Sequence, residues 1–286
     1  MRYEVPETKG EAVSLLAMAE GSGRVLAGGT DLLVQLRSGV VKPGVVVDIK
    51  KIVETREITT ENGGFRVGAA VTGAELDEHK ALKKLWPGVV EAVELIGSTQ
   101  IQGRASMGGN LCNASPAADS VPALIAAGAQ CHIAGPDGER TLPVEGFCTG
   151  PGVTNLQTGE FLVSFTLPSR PPHSGDAYLR FIPRTEMDIA VVGIGVSLSL
   201  DSNGICVAAR VGLGAVAATA LLVAEAAEAL IGTSVDEGAI ENMTSAIRSA
   251  CSPIDDKRGT IVYRTQVSGV LAGRACRIAL QRAEQS

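Results

Sequence analysis

Residues 26–33 read Leu26-Ala27-Gly28-Gly29-Thr30-Asp31-Leu32-Leu33, and this stretch joins the end of a predicted strand to the start of a predicted helix. A second stretch reads Ser106-Met107-Gly108-Gly109-Asn110 and also places paired glycines among polar residues. Glycine lacks a Cβ atom, so its backbone reaches positive φ and lets a bulky ligand approach. Exposed N–H groups at the start of a helix attract anions. Either glycine pair alone is more typical of a tight turn, but together they predict a site for a cofactor with two phosphates.

Length and composition favour a folded protein that acts on small molecules. The chain has 286 residues, of which 45% are hydrophobic, and its net charge is −6 at pH 7. A chain of this length can bury a substantial core and is expected to form two or three units. The net negative charge and the lack of a long segment rich in lysine and arginine argue against nucleic-acid binding.

The beginning of the chain carries no recognisable targeting signal. Residues 1–6 read Met1-Arg-Tyr-Glu-Val-Pro6, which lacks the apolar core of a signal peptide, and no segment of membrane-spanning length is free of charges. We therefore expect a cytoplasmic protein without a membrane span.

The residues that usually carry catalysis or bind metals are scattered. None of the six cysteines forms a Cys-x-x-Cys pair, and the three histidines stand alone. This spacing argues against an iron–sulfur cluster or a zinc site held by this chain alone. No convincing general base or nucleophile is present either. We expect no metal ligands and no catalytic residue here, so that a bound cofactor would supply the chemistry.

The first part of the chain is predicted to combine a small α/β unit with a larger one, and Pro168-Ser-Arg-Pro-Pro172 marks the main boundary. This places one domain at residues 1–172, divided near residue 52, and a second at 173–286. Periodicity and capping residues predict helices at 11–20, 31–37 and 116–127, two more starting after Thr72 and at Pro87, and strands at 25–27, 45–49, 65–70, 131–134 and 160–167.

The second part is predicted to be α+β. Asp201-Ser-Asn-Gly204 lies between two long apolar runs, and an Asn-Gly turn in that setting is a strong hairpin signal. The predicted strands are 177–182, 189–200 and 205–213, and the predicted helices are 219–231, 236–250 and 266–281.

A third glycine segment, Gly212-Leu-Gly-Ala-Val-Ala217, offers two interpretations. It fits a relaxed dinucleotide-binding pattern, but the acidic residues about twenty positions on open another predicted helix instead of closing a strand. The alternative is that small residues allow a sheet and a helix to pack closely.

Several ordered motifs resemble the FAD-binding subunit of molybdenum hydroxylases. The group includes the carbon monoxide dehydrogenase medium subunit and the flavin domain of xanthine dehydrogenase. The resemblance rests on both glycine stretches and on further matches that span nearly the whole chain: Gln100-Ile-Gln102, Leu111-Cys-Asn-Ala-Ser-Pro-Ala-Ala-Asp119, Phe147-Cys-Thr-Gly-Pro-Gly152, Arg184-Thr-Glu-Met-Asp-Ile-Ala190, Leu213-Gly-Ala-Val-Ala217 and Asp255-Asp-Lys-Arg-Gly259 with Tyr263-Arg264.

The resemblance implies a fold and a set of cofactor-binding residues. The fold is α+β: a two-subdomain FAD-binding arrangement of the vanillyl-alcohol oxidase type, with an α/β N-terminal part, followed by a smaller C-terminal α+β domain. Residues 26–33 and 106–110 would wrap the FAD pyrophosphate from two sides. Asp119 would hydrogen-bond a polar part of the cofactor, Ile96 and Leu162 would make apolar contacts to the flavin, and Arg180 would supply a cation near it.

The resemblance also implies an electron-transfer subunit of an oxidoreductase, within a heterotrimer that forms a dimer. A large subunit would hold the molybdenum cofactor and a small subunit the 2Fe-2S clusters. FAD in this chain would pass electrons to an external acceptor, which is NAD, quinone or oxygen.

Two other functions stay open at this point. One is a self-sufficient flavoprotein oxidase of the same fold, and the other is a cofactor-free scaffold or assembly protein. The absence of a flavin-linking histidine near the glycine stretches counts against the oxidase, and the intact glycine stretches count against the scaffold.

Overall fold

A small parallel sheet begins the structure, which is a computed structural model describing residues 1–185 and 187–286. Its strand order is β1-β3-β2, and Leu26 at the end of β2 pairs with Asp48 at the end of β3. Because the carboxyl ends of parallel strands meet at one edge of a sheet, the segments that follow β2 and β3 lie side by side. The elements are β1 (Arg2–Glu4), α1 (Lys9–Met18), β2 (Gly23–Leu26), α2 (Leu32–Arg37) and β3 (Val45–Asp48).

A five-stranded antiparallel sheet follows, with the order β4-β5-β10-β6-β7. Apolar side chains on one face of this sheet pack against five helices and form a large core. Strand β10 is central and has an irregular register between Leu162 and Ser164. The strands are β4 (Ile58–Glu61), β5 (Gly64–Gly68), β6 (Gln130–Gly135), β7 (Gly138–Pro143) and β10 (Phe161–Leu167); a small pair is formed by β8 (Cys148–Gly150) and β9 (Val153–Thr154). The helices are α3 (Gly73–Glu78), α4 (Lys80–Leu85), α5 (Pro87–Glu94), α6 (Met107–Cys112) and α7 (Ser120–Ala126).

The last part is a four-stranded antiparallel sheet in the order β11-β12-β13-β14, covered by helices. The predicted hairpin is present, with β12 paired to β13 across the Asn203-Gly204 turn. The elements are β11 (Ser174–Phe181), β12 (Val192–Leu200), β13 (Cys206–Gly214), β14 (Leu221–Leu222), α8 (Ala224–Glu228), α9 (Glu237–Ala250) and α10 (Ile261–Gln285). Among the described residues, no helix combines the length and apolar character needed to cross a membrane.

Several predictions of secondary structure were wrong at their ends or incomplete. The strand predicted at 189–200 begins at Val192, and the helix predicted at 11–20 is α1, Lys9–Met18. The helix predicted at 219–231 is confined to α8, because Leu221 and Leu222 hydrogen-bond to β13 as an edge strand. The helix predicted at 116–127 begins only at Ser120, and the last helix begins at Ile261 instead of 266. The Asp137-Gly138 turn leads into β7, which was not predicted. Glu186, within the motif at 184–190, lies outside the described residues.

The third glycine segment packs a helix against the last sheet. A Cβ atom on Gly212 would lie 2.1 Å from the carbonyl oxygen of Pro122 in α7, and one on Gly195 would lie 2.5 Å from the same oxygen. A Cβ on Gly214 would lie 2.6 Å from the Pro122 ring. The close-packing interpretation is therefore confirmed, because these glycines let α7 lie directly on β12 and β13.

Candidate cofactor site

The first glycine stretch forms a turn with unpaired main-chain donors. Gly29 has a φ of +83°, a conformation that favours glycine. Asp31 is the N-cap residue of α2, but its side chain makes no capping hydrogen bond. The N–H groups of residues 28–32 donate to no acceptor within residues 1–185 and 187–286. Consecutive free N–H groups in a turn form a concave site for an anion.

A lysine fixes the beginning of this turn. The Nζ atom of Lys50 donates to the carbonyl oxygen of Ala27 at 3.0 Å and to Oδ1 of Asp48 at 2.7 Å. The hydroxyl of Tyr3 donates to the other oxygen of Asp48 at 2.6 Å. Burial alone would raise the pKa of Asp48, but the hydrogen bonds from Lys50 and Tyr3 outweigh it and hold that pKa below its usual value. Asp48 is therefore a carboxylate at neutral pH and holds Lys50 in place.

The second glycine stretch starts α6, and its two glycines face different surroundings. Ser106 is the N-cap residue, and its Oγ accepts a hydrogen bond from the N–H of Gly109 at 3.1 Å. A Cβ on Gly108 would lie 2.3 Å from the carbonyl oxygen of Ala69, so this glycine is required for packing. A Cβ on Gly109 would contact only Ser106 Oγ, at 3.3 Å. Gly109 is thus the glycine with open space beside it.

The structure brings the two stretches together. A Cβ on Gly28 would lie 1.8 Å from the carbonyl oxygen of Arg104, which lies two residues before the second stretch. The segments that follow the two stretches are also in contact, because Nε2 of Gln35 in α2 donates to Oδ1 of Asn113, directly after α6, at 3.2 Å. Only glycine allows so close an approach of two backbones. The unpaired N–H groups of residues 28–32 therefore lie next to the start of α6.

Asn110 has a structural contact that the sequence did not predict. Its Oδ1 atom accepts hydrogen bonds from the N–H of Ser120 at 3.1 Å and from the Ser120 hydroxyl at 2.7 Å. The carboxamide oxygen therefore caps the start of α7. The side-chain NH2 group of Asn110 is the part left for a ligand.

Asp119, which the resemblance places against a polar part of the cofactor, and Arg180, which it places near the flavin, form a buried ion pair. Arg180 Nη1 lies 3.0 Å from Oδ2 of Asp119 and also donates to the carbonyl oxygen of Leu95 at 2.7 Å. Burial raises the pKa of Asp119 to about 6, although Arg180 and Tyr178 act in the opposite direction. Tyr178 donates to Oδ1 of Asp119 at 3.4 Å and was not predicted to belong to the site.

The two predicted apolar contacts lie in the same region. Ile96 follows Leu95, the residue whose carbonyl holds Arg180, and its side chain is 9% exposed. Leu162 lies in β10, is 3% exposed, and shares the large core with Ile96 and Met107. In the first stretch Leu26 is buried, whereas Leu33 is 51% exposed.

These residues fit a cofactor with a pyrophosphate and a large apolar ring. The first of two adjoining backbone turns supplies N–H groups without an acceptor among the described residues, and a buried carboxylate with its guanidinium lies at the start of α7. Within the described chain, no group of three His, Cys, Asp or Glu side chains is arranged to hold a metal ion.

Two protein families match the chain in succession. Residues 1–170 match the FAD binding domain in molybdopterin dehydrogenase, and residues 177–279 match the CO dehydrogenase flavoprotein C-terminal domain. The chain is 32% identical over 264 residues to the xanthine dehydrogenase FAD-binding subunit of Escherichia coli O157:H7, covering 92% of this chain and 90% of the relative. It is 30% identical to the carbon monoxide dehydrogenase medium chain of Hydrogenophaga pseudoflava, covering 98% and 97% of the two chains.

Solved structures agree with these matches. A chain of reconstituted CO dehydrogenase from Oligotropha carboxidovorans superimposes with a TM-score of 0.94 and 30% identity, covering 99% of this chain and 98% of that one. A chain of quinoline 2-oxidoreductase from Pseudomonas putida 86 gives a TM-score of 0.89 and 28% identity, with the same coverage of both chains. The expected fold, an FAD-binding domain followed by a C-terminal α+β domain, is confirmed. The chain therefore belongs to the FAD-binding medium subunits of the molybdenum hydroxylases, a family of oxidoreductases, and its cofactor is FAD.

Proposed function

We propose that the chain binds FAD with the pyrophosphate between the two glycine stretches and the flavin near the Asp119–Arg180 pair. Residues 26–33 and 106–110 surround the phosphates, the N–H groups of residues 28–32 donate to them, and Ile96 and Leu162 contact the ring. One feature carries this proposal: five consecutive unpaired N–H groups lie against a second glycine turn, where Gly28 approaches Arg104 too closely for any Cβ atom.

We further propose that the chain is the electron-exit subunit of a three-subunit enzyme. Substrate oxidation takes place at molybdenum in a large subunit, 2Fe-2S clusters of a small subunit relay the electrons, and FAD supplies the redox chemistry that delivers them to an external acceptor. This role needs no nucleophile or general base, because electron transfer requires cofactor placement and electrostatics.

The wider assembly is also a proposal. The acceptor is NAD, quinone or oxygen, the holoenzyme is a dimer of heterotrimers, and it works in the cytoplasm. Residues 1–172, in subdomains of about 1–52 and 53–172, form the FAD-binding domain, and residues 173–286 form the C-terminal domain. The apolar cores support this division, because one consists of residues from 177 onward and the other, apart from Tyr178, of residues before 172.

The first experiment measures FAD binding to Gly109→Val. A Cβ at Gly109 enters open space, where Ser106 Oγ is the one atom within 4 Å that the described structure places near it, so we expect valine to block the phosphate with little change in packing. We expect at least about a tenfold weaker Kd for FAD, or about 1.4 kcal/mol, from titration of the FAD-free protein followed by its visible spectrum. Mass spectrometry of the released cofactor identifies it.

Gly10→Val is the matched control, because a Cβ at Gly10 has no neighbour within 4 Å and the residue lies outside both stretches. Gly108→Val is less informative, since it would collide with Ala69. An unchanged Kd in a folded Gly109→Val protein would contradict the phosphate site. Copurification with two further subunits supports the electron-exit role, and substrate turnover by the chain alone would favour a self-sufficient oxidase.

A further inference from the structure

Tyr178 occupies a confined position beside the ion pair. It lies in β11 two residues before Arg180, so both side chains are on the same face of the strand. Its side chain is 3% exposed, and a Cβ on Gly193 of the neighbouring strand would lie 2.7 Å from its hydroxyl oxygen. Asp119 Oδ1, at 3.4 Å, is the hydrogen-bond acceptor for this hydroxyl in the described structure. A buried tyrosine hydroxyl ordinarily has a hydrogen-bond partner, and here that partner is the carboxylate.

Both oxygens of Asp119 are therefore engaged from β11. Arg180 Nη1 contacts Oδ2 at 3.0 Å and is itself fixed by the Leu95 carbonyl, while Tyr178 contacts Oδ1. The carboxylate cannot rotate without breaking one of these contacts.

We infer that Tyr178 is a positioning residue that orients the Asp119 carboxylate towards the flavin and stabilises its charged form. This inference rests on the proposed placement of FAD beside Asp119. Tyr178 acts through Asp119 and need not touch the cofactor.

The electrostatics give the inference a measurable consequence. Burial raises the pKa of Asp119 and the ionisable groups Arg180 and Tyr178 lower it, and the net result is a pKa of about 6. Burial also raises the pKa of Tyr178 well above its usual value, so its hydroxyl remains a donor at every pH of interest. Above pH 6 the Asp119 carboxylate disfavours added electrons on a nearby flavin, and below pH 6 the neutral acid does not. The flavin reduction potential therefore rises more steeply with falling pH across the range in which Asp119 takes up its proton, and the ordinary slope returns below that range.

The test compares flavin potentials of the FAD-loaded protein from about pH 5 to about pH 8. In the native protein we expect a change of slope near the Asp119 pKa. Tyr178→Phe removes one donor to the carboxylate, so the pKa rises and the change of slope moves to higher pH by about one unit. Asp119→Asn removes the ionisable group and abolishes the change of slope. Tyr263→Phe is the matched control, because Tyr263 is 45% exposed and its hydroxyl has no hydrogen bond among the described residues.

The outcomes separate this inference from the proposed function. If Asp119→Asn abolishes the change of slope but Tyr178→Phe behaves like native protein, Tyr178 has no positioning role. If Asp119→Asn changes neither the potential nor FAD affinity, the flavin is not beside Asp119 and the proposed placement fails. Should Tyr178→Phe not fold, Gly193→Ala displaces the same hydroxyl and must shift the change of slope in the same direction.

Discussion

At the scale of single residues, the glycines of the two stretches have different roles. Gly28 permits close contact with the Arg104 backbone, and Gly29 provides the positive φ of the turn. Gly108 makes room for Ala69, and only Gly109 faces open space. The glycine pairs in the sequence thus predicted two turns, which the structure brings together, and the cofactor site between them stays a prediction. The pairs could not show which glycine is tightly packed and which has open space beside it.

Lys50 provides a test of the first stretch. Lys50→Met removes the donor that holds the Ala27 carbonyl, so we expect FAD to bind roughly tenfold more weakly, the effect of losing one charged hydrogen bond. Titration with FAD measures this. Lys51→Met is the control, because that neighbouring lysine is 63% exposed and lies 3.6 Å from Glu7, away from the turn. Equal affinities of the two variants would show that the turn does not depend on Lys50.

Two residues of the site were missed from the sequence for identifiable reasons. Lys50 reaches Ala27 only because β2 and β3 are parallel neighbours, and strand order cannot be read from periodicity. Tyr178 could have been found, because it precedes Arg180 by two residues in a predicted strand and therefore shares its face. Its pairing with Asp119, 59 residues away, needed the fold.

At the scale of elements, the contact of α7 with β12 and β13 joins the two parts of the chain. Gly195, Gly212 and Gly214 form a smooth surface on the sheet, and the Pro122 carbonyl lies directly on it. Arg210 of β13 adds a hydrogen bond to the Ile125 carbonyl at 3.0 Å. Because α7 starts immediately after Asp119, this contact also fixes the position of that carboxylate.

Gly212→Ala tests this packing. The added methyl would lie 2.1 Å from the Pro122 carbonyl oxygen, so α7 must move, and we expect a loss of about 1–3 kcal/mol in the free energy of unfolding. Gly10→Ala in α1 introduces the same methyl into open space and should stabilise the protein by up to about 1 kcal/mol. Urea unfolding measures both changes. A Gly212→Ala variant with the free energy of unfolding of the native protein would disprove the tight contact.

The long apolar strands and the capped helices were predicted well because their local signals agree with the fold. The Asp201–Gly204 hairpin and the Thr72 capping box are examples. Strand β7 was missed because Glu139, Arg140 and Thr141 give an exposed edge strand no apolar alternation. The first residues of the helix predicted at 219–231 have helical character, but pairing with β13 overrides that preference.

At the scale of the whole molecule, a buried polar cluster connects the two parts of the chain near residue 172, where the predicted domains meet. Arg170 contacts Asp176 at 2.7 Å, lies 4.4 Å above the Trp86 ring, and donates to the Leu85 carbonyl at 2.6 Å. The other oxygen of Asp176 accepts the N–H of Gly88 at 2.8 Å. Helix α5 and strand β11 are thereby locked to each other.

Arg170→Met tests this cluster. It leaves Asp176 buried without its main cation, so we expect a loss of about 3–5 kcal/mol in the free energy of unfolding. Arg24→Met is the control, because Arg24 is exposed and bonds only carbonyls of its own loop. Urea unfolding of both variants at neutral pH provides the comparison. Similar stabilities would mean that the cluster does not hold the two parts together.

Helix α10 has a consequence for the order of folding. It packs on β11 and β12, and Arg282 pairs with Glu91 of α5, 191 residues earlier in the chain. Because β11 and β12 precede α10 in the chain, they leave the ribosome before the helix that covers them. Until α10 docks, the apolar face of this sheet is open to solvent, and such exposed surface is what chaperones engage.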